Sequence, residues 1–191
     1  FIKNHMKKSS YHINEIANWT ETKEVQLPNV QRGFVWKASQ IENLWDSILR
    51  GYPLGSFVLS NSEGKIEILD GQQRATAIAL GFNKETLRNT PVKLFVDLFP
   101  PDSGDARKFI FRAITKSHPW GYARKENDKV LSSVEIRNAM EEFDLDSPLV
   151  QDLNSCYPYD AKWPIPLYMV LENRNDSVEK LVTRLESWEH W

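Results

Sequence analysis

The sequence predicts an α+β protein, with a mixed α/β core followed by a helical C-terminal extension. Three observations support this fold class. Short β-rich runs alternate with helical segments in the first two thirds of the chain, and one strand leads through a glycine turn directly into an alanine-rich helix. The patterns after residue 127 are helical. With 191 residues, of which 41% are hydrophobic, the chain has enough apolar material to bury a core.

The first elements follow from hydrophobic periodicity. Residues 11–18 predict a short amphipathic turn or helix, and residues 24–27 predict a strand that ends at Pro28. In residues 38–50 the apolar side chains recur at i, i+3, i+4, i+7 and i+8, and Gly51 follows the last of them. This spacing predicts a helix with one face packed on the core.

The later elements follow from turn residues and caps. The runs 56–60 and 65–69 flank Asn61-Ser62-Glu63-Gly64, which predicts a hairpin. After the hairpin, the alanine-rich residues 75–82 predict a buried helix. Further strands are predicted at 92–98 and 108–114, and further helices at 134–143 and 177–188. We expect residues 1–10 to be a tag or disordered start, residues 11–126 to be the core, and residues 127–191 to be a helical extension truncated before a missing C-terminal domain.

Charge and cysteine content limit the function. The 24 Lys and Arg against 26 Asp and Glu give a net charge of −2, which excludes a globally basic nucleic-acid binder. The single cysteine, Cys156, cannot form an internal disulfide, and the sequence has no secretory leader and no apolar run of 18 residues. We therefore expect a cytoplasmic protein with no membrane partner.

The strongest chemical signal is Asp70-Gly71-Gln72-Gln73-Arg74, between a predicted strand and a predicted helix. Gly71 permits a turn closed to other residues, and a helix N-terminus offers unpaired amides and a positive dipole end for phosphate. Arg74 has a planar charged fork for phosphate, Gln72 or Gln73 can bond a base, ribose or water, and Asp70 is a candidate Mg²⁺ ligand. The structural alternative is a common Asp-Gly turn with Asp70 as the N-cap.

A second Gln-Arg pair, Gln31-Arg32, precedes Gly33 and lies between Pro28 and Trp36. Arg32 is a candidate to meet the same anion from another side. The alternative is a solvated arginine in a loop whose Phe34 and Trp36 belong to the core.

The third signal is a basic stretch at residues 107–129, with seven basic and two acidic residues. Such a segment can contact phosphates while an aromatic ring stacks on a base. His118 is a candidate general acid or base, or a histidine hydrogen-bonded in a turn. The candidate DNA or phosphate contacts here are Lys116, His118, Trp120, Arg124 and Lys125.

The sequence also excludes several site types. It has no Walker-type loop, no Gly-x-Gly-x-x-Gly, no paired Cys or His at zinc spacing and no Gly-x-Ser-x-Gly. Its four histidines do not assemble a His-Asn-His centre. The chain is therefore not expected to be a nuclease by itself.

Three ordered motifs together resemble the ParB-like N-terminal domain of GmrSD-type restriction proteins, the GmrS-like half. They are Leu27-Pro28-x-x-Gln31-Arg32-Gly33-x-Val35-Trp36, then Ser47-Ile48-Leu49-Arg50-Gly51-Tyr52-Pro53-Leu54-Gly55-Ser56, then Ile68-Leu69-Asp70-Gly71-Gln72-Gln73-Arg74. The resemblance is dense from about Leu27 to Leu80, and the block from Lys116 to Gly121 resembles a subgroup of the family.

The resemblance implies a ParB/sulfiredoxin-like core over residues 11–126 whose Asp-Gly-Gln-Gln-Arg turn binds nucleotide phosphates. Residues 70–74 match the family motif, with Asp70, Gln72 and Arg74 as catalytic candidates, and Gln31 and Arg32 match the upstream pair. In related defence proteins this half binds or hydrolyses nucleoside triphosphate, with Mg²⁺ as the implied ion, and regulates a His-Asn-His-type nuclease that acts on DNA, often modified. A homodimer is one open alternative for the oligomeric state.

The leading hypothesis is a nucleotide-binding, NTP-hydrolysing regulatory domain of a bacterial antiphage restriction protein, controlling a nuclease domain outside this chain. The alternative is a non-catalytic DNA-binding or modification-sensing module, which the basic stretch favours.

Overall fold

The fold is built from helices and short strands that alternate along the first half of the chain. The structure, a computed structural model, describes residues 7–22, 25–26, 36–62, 65–83, 92–99, 101, 103–104, 106, 108–115, 134, 138, 158, 161–172, 175 and 177–187. In these residues the helices are α1 (Ile13–Thr22), α2 (Ala38–Leu49), α3 (Gln72–Phe82), α4 (Leu167–Glu172) and α5 (Val178–Glu186). The strands are β1 (Val25–Gln26), β2 (Val58–Ser62), β3 (Lys65–Asp70), β4 (Val92–Asp97), β5 (Ile110–Thr115) and β6 (Pro164–Pro166).

The described strands form two small sheets. In the first sheet the order is β1-β3-β2, with β1 parallel and β2 antiparallel to β3. In the second the order is β5-β4-β6, and both pairings are antiparallel. The predicted α+β fold class is therefore confirmed. The ParB/sulfiredoxin-like assignment stays a prediction.

Helix α3 lies at the centre of the packing and contacts α1, α2, α4 and β4. Small buried side chains such as Ala77 let neighbouring elements approach its backbone closely. Trp45 of α2 is fully buried and donates from Nε1 to the carbonyl of Ala77 at 2.9 Å. Its ring lies where a side chain at Gly81 would begin, so only glycine fits there. This packing fixes the axis of α3 and with it the position of the helix N-terminus.

Most predicted elements are present with small shifts of their ends. The periodic helix after Trp36, the hairpin, and the sequence of strand, glycine turn and helix at 65–82 all form as predicted. Trp45 faces the core, as its helical spacing indicated. Of the helix predicted at 134–143, the described residues Val134 and Asn138 are helical.

One segment of the predicted helical extension contributes a strand. Strand β6 pairs with β4, and Leu167 after it is fully buried in the main hydrophobic cluster. The carboxylate of Asp97 at the end of β4 accepts hydrogen bonds from the amides of Lys162 and Trp163 at 2.9 and 2.8 Å. Residues 162–167 thus share a sheet and a core with the first half of the chain. The domain bounds at 126 and 127 stay a prediction.

Candidate functional site

The turn between β3 and α3 is led by a glycine in the left-handed conformation. Gly71 has φ +94° and ψ 7° and occupies the N-cap position of α3. Ala75 donates to the Gly71 carbonyl at 2.9 Å, and the amides of Gln72 to Arg74 precede this first helical hydrogen bond. The alternative that Asp70 is the N-cap is wrong, because Gly71 holds that position. Among the described residues no side-chain cap hydrogen bond is seen at this helix N-terminus.

A cleft of about 300 Å³ lies over this turn. It is lined by Trp36, Leu69 and the five motif residues at 70–74. Trp36 is half-buried, packs against the core and also lines the cleft. Leu69, the next-to-last residue of β3, is 55% exposed. The cleft therefore combines an apolar wall with backbone amides and charged groups.

Asp70 and Arg74 form an ion pair across the first turn of the helix. The distance from Arg74 Nη2 to Asp70 Oδ2 is 3.6 Å. The Asp70 side chain is 71% exposed, whereas that of Arg74 is 22% exposed. An exposed pair at this distance contributes little to stability, on the order of 0–1 kcal/mol. The Asp70 carboxylate is accordingly accessible to a cation or to water.

The Arg74 guanidinium is held mainly by a neighbouring loop. Nη1 donates to the Leu54 carbonyl and Nη2 donates to the Ser56 carbonyl at 3.0 Å. The guanidinium carbon also lies 5.2 Å from the centre of the Phe57 ring, in cation–π range. Arg74 thus joins the loop before β2 to the start of α3.

The two glutamines of the motif are half-buried at the turn. Gln72 donates from Nε2 to the carbonyl of Ile68 at 2.7 Å, which ties the first helical residue back to β3. This bond orients the Gln72 amide group and supports the turn. Gln73 lines the cleft beside it.

The described residues of this turn offer one side-chain ligand for a metal ion, the carboxylate of Asp70. Among the described residues, no group of three His, Cys, Asp or Glu side chains could hold a metal ion. Asp70 is a single exposed carboxylate, and Mg²⁺ is often bound through one carboxylate when phosphates and waters complete its shell. Asp70 therefore fits an ion that arrives with a phosphate ligand.

Several predicted site residues lie outside the described part of the chain. They are Gln31, Arg32, Lys116, His118, Trp120, Arg124 and Lys125. Their roles stay predictions from the sequence. The structure brings together Asp70 to Arg74, with Trp36 beside them.

Two neighbours of the site were missed at the sequence level. Phe57 packs against Gly71, and the Leu54 and Ser56 carbonyls receive Arg74. The available signal was Gly55, which separates the two residues whose carbonyls accept hydrogen bonds from Arg74 and has φ +79°. Glycine at this position allows the close approach of the Arg74 guanidinium, which a side chain at residue 55 would meet.

The fold and the cleft define an α+β domain with a glycine-led helix N-terminus as its candidate ligand site. The chain belongs to the family described as the N-terminal domain of GmrSD restriction endonucleases, whose family model matches residues 13–183. The resemblance to this family is thereby confirmed, whereas the match of residues 70–74 to a family motif stays a prediction. No curated protein and no solved structure gives a significant match.

Family membership makes the chain a module of an antiphage restriction system, and it implies a nuclease domain in full-length members. No helix in the described residues is long and apolar enough to cross a membrane.

Proposed function

We propose that this domain binds and hydrolyses a nucleoside triphosphate at the Asp70–Arg74 turn, and that its nucleotide state regulates the nuclease domain of the full-length protein. The observation that carries the proposal is the open N-terminus of α3, led by Gly71 at φ +94° and facing the cleft. Amides at such a turn are suited to phosphate oxygens, and the helix dipole favours negative charge there.

The charges around the turn support the same ligand class. The Arg74 guanidinium supplies a permanent positive charge next to the first turn of α3. The half-buried indole of Trp36 and the exposed Leu69 give the cleft an apolar side that suits a nucleobase. Phosphate at one end and a planar apolar group at the other match a nucleotide better than an inorganic anion.

Mg²⁺ would be held by Asp70 together with the phosphates of the ligand. The ion, when bound, neutralises charge that develops on the phosphoryl oxygens. Asp70 is suited to this role because its carboxylate is exposed, and the phosphates of the ligand and water would supply the remaining ligands of the ion.

The proposed reaction is hydrolysis, in which water attacks the terminal phosphorus and the bond to the bridging oxygen breaks, giving nucleoside diphosphate and inorganic phosphate. Gln72, whose amide is oriented by the Ile68 carbonyl, is the proposed residue for orienting water. Positioning and charge supply most of the catalysis in reactions of this type. Asp70 and Gln72 are therefore the proposed catalytic residues, and Arg74 supplies a positive charge beside them.

The test is calorimetric titration with each NTP in the presence of Mg²⁺, together with a phosphate-release assay. We expect Asp70→Asn to weaken Mg²⁺-dependent binding by about tenfold, equivalent to ~1.4 kcal/mol. Glu186→Gln is the matched control, because Glu186 is an exposed carboxylate on α5 that does not line the cleft. The control should bind like the wild type.

Two results would contradict the proposal. One is the absence of binding by any NTP to the wild-type protein. The other is equal binding by wild type and Asp70→Asn over a range of Mg²⁺ concentrations, which would remove Asp70 from the site. Binding without phosphate release would restrict the function to nucleotide sensing.

The second candidate, a DNA-binding or modification-sensing module, depends on the basic stretch at 107–129. Counterion release predicts that its affinity falls steeply with salt concentration. Replacing Lys116, Arg124 and Lys125 together should then abolish DNA binding and leave NTP turnover unchanged. Salt-insensitive binding would count against this function.

A further inference from the structure

We infer that Arg74 is a positioning residue of the proposed nucleotide site, acting through the loop at residues 54–57 rather than as a direct phosphate ligand. The inference rests on the proposed function for its ligand. Its structural basis is a clamp, defined here as the Arg74 guanidinium with the Leu54 and Ser56 carbonyls and the Phe57 ring.

The clamp uses the planar shape of the guanidinium. Its two terminal nitrogens donate to carbonyls two residues apart on the same loop, and its central carbon lies 5.2 Å from the centre of the Phe57 ring. A lysine ammonium is a point charge and cannot reproduce this fork. The two hydrogen bonds to the loop therefore explain why position 74 holds an arginine and not a lysine.

The clamped loop braces the phosphate turn through Phe57. A side-chain carbon at Gly71 would lie 2.5 Å from Phe57 Cδ1, so the ring fills the space beside the glycine. Phe57 is supported from behind by Trp19 of α1, whose ring centre is 5.5 Å away in an edge-on arrangement. Arg74 and Trp19 thus hold Phe57 from two sides against the turn.

Both terminal nitrogens of Arg74 are engaged by the loop. Nη1 and Nη2 both bond carbonyls, and Nη2 also faces Asp70. A phosphate that bound Nη1 and Nη2 together would have to share these nitrogens with the loop carbonyls. A phosphate held by the amides of α3 would leave the clamp intact, and the clamp would keep those amides in place.

Gly55 offers a variant that disturbs the clamp without removing the arginine. Its φ is +79°, and a side-chain carbon there would collide with Arg74 Nη1, the far end of a flexible side chain that can move away. Gly51 is the matched control, because it has φ +72° and open space around it. Alanine at either position carries the same kind of backbone strain, so the difference between them reports the displaced guanidinium.

The experiment compares wild type, Gly55→Ala, Gly51→Ala, Arg74→Lys and Arg74→Ala by ATP and GTP titration with Mg²⁺, and by hydrogen exchange of amides 54–57 and 71–74 without ligand. We expect Gly55→Ala and Arg74→Lys to raise Kd at least tenfold and to speed exchange of these amides at least tenfold. Gly51→Ala should stay within about twofold of the wild type in both measurements.

The outcomes separate this inference from the proposed function. If Arg74→Lys and Gly55→Ala bind nucleotide like the wild type while Arg74→Ala does not, Arg74 is a direct ligand and the inference is overturned. Unchanged exchange in Gly55→Ala and Arg74→Lys overturns it as well. If wild type binds no nucleotide, the proposed function fails and the positioning role falls with it, while faster exchange would still establish the clamp as a structural contact.

Discussion

Two aspartate–arginine pairs with the same spacing have opposite surroundings in this domain. Asp46 and Arg50 lie at the end of α2, and Asp70 and Arg74 lie at the start of α3, each four residues apart. The Asp46 side chain is 8% exposed and 3.1 Å from Arg50, whereas the Asp70 side chain is 71% exposed and 3.6 Å from Arg74. Spacing alone therefore does not separate a structural pair from a candidate site.

The difference comes from what the carboxylates bond. Asp46 Oδ1 accepts from the amides of Lys108 and Phe109 at 3.1 and 3.0 Å, just before β5. Arg50 Nη1 donates to the Ala106 carbonyl at 2.8 Å in the same segment. The Asp46–Arg50 pair thus joins two distant parts of the chain through hydrogen bonds to other groups of the protein. In the Asp70–Arg74 pair the carboxylate is exposed to solvent at a helix N-terminus, where it is accessible to a ligand.

The largest expected effect compares Asp46→Ala with Asp70→Ala. Removing Asp46 leaves two backbone amides and Arg50 without their acceptor in a buried setting, and we expect a loss of about 3 kcal/mol in the free energy of unfolding. Asp70→Ala should change stability by no more than about 0.5 kcal/mol, because the side chain is exposed. Urea unfolding of both variants measures the difference.

Asp46→Asn is the control for this comparison, since it keeps one oxygen acceptor and should lie between wild type and Asp46→Ala. A loss of stability in Asp70→Ala as large as in Asp46→Ala would show that the second pair is structural too.

The next effect compares the two arginines. Arg50 bonds Asp46, the Ala106 carbonyl and the Tyr52 hydroxyl, so Arg50→Ala should lower the free energy of unfolding more than Arg74→Ala does. Arg74→Ala frees two loop carbonyls that water can reach, and we expect a loss of about 1 kcal/mol or less. In contrast, only Arg74→Ala should weaken nucleotide binding. Thermal unfolding measures the stability of both variants, and calorimetry on the same samples measures their nucleotide binding. A binding defect in Arg50→Ala would contradict the expectation that only Arg74 affects binding.

Local sequence patterns predicted much of the fold. The helical spacing around Trp45 predicted a buried face, and the turn at 61–64 predicted the hairpin, because each depends on residues close together in sequence. Strand β6 was missed because Pro164-Ile165-Pro166 has no period of two and prolines are rare in central strands. It fits at the edge of its sheet, where a missing donor is tolerated.

The candidate site was predictable only where its residues are close together in sequence. Asp70 to Arg74 form one local turn, so their proximity follows from the sequence. The partners of Arg74 lie 18 and 20 residues away, and those of Asp46 lie 62 and 63 residues away. Pairing over such separations depends on tertiary packing, so the sequence did not identify Asp46 as a structural carboxylate.

The smallest expected effect concerns a third carboxylate, Glu179 in the first turn of α5. Hydrogen bonds from its own backbone amide and from Ser177 lower the pKa of Glu179 below its ordinary value. A lowered pKa in the folded state means that the charged form stabilises α5 above the ordinary pKa, and that this contribution is lost as pH falls through the folded value. Because Glu179 is exposed, the effect should be confined to fraying of α5.

An NMR titration of the Glu179 carboxyl and the Lys180 amide measures this contribution, with Glu179→Gln as the variant that removes its pH dependence. The result also bears on the comparison of the two aspartates, because Glu179 and Asp70 are both exposed carboxylates beside a helix N-terminus. A titration of Glu179 at or above its ordinary pKa would show that the amides of a first turn do not favour negative charge in this protein. That outcome would weaken the case for phosphate at the N-terminus of α3.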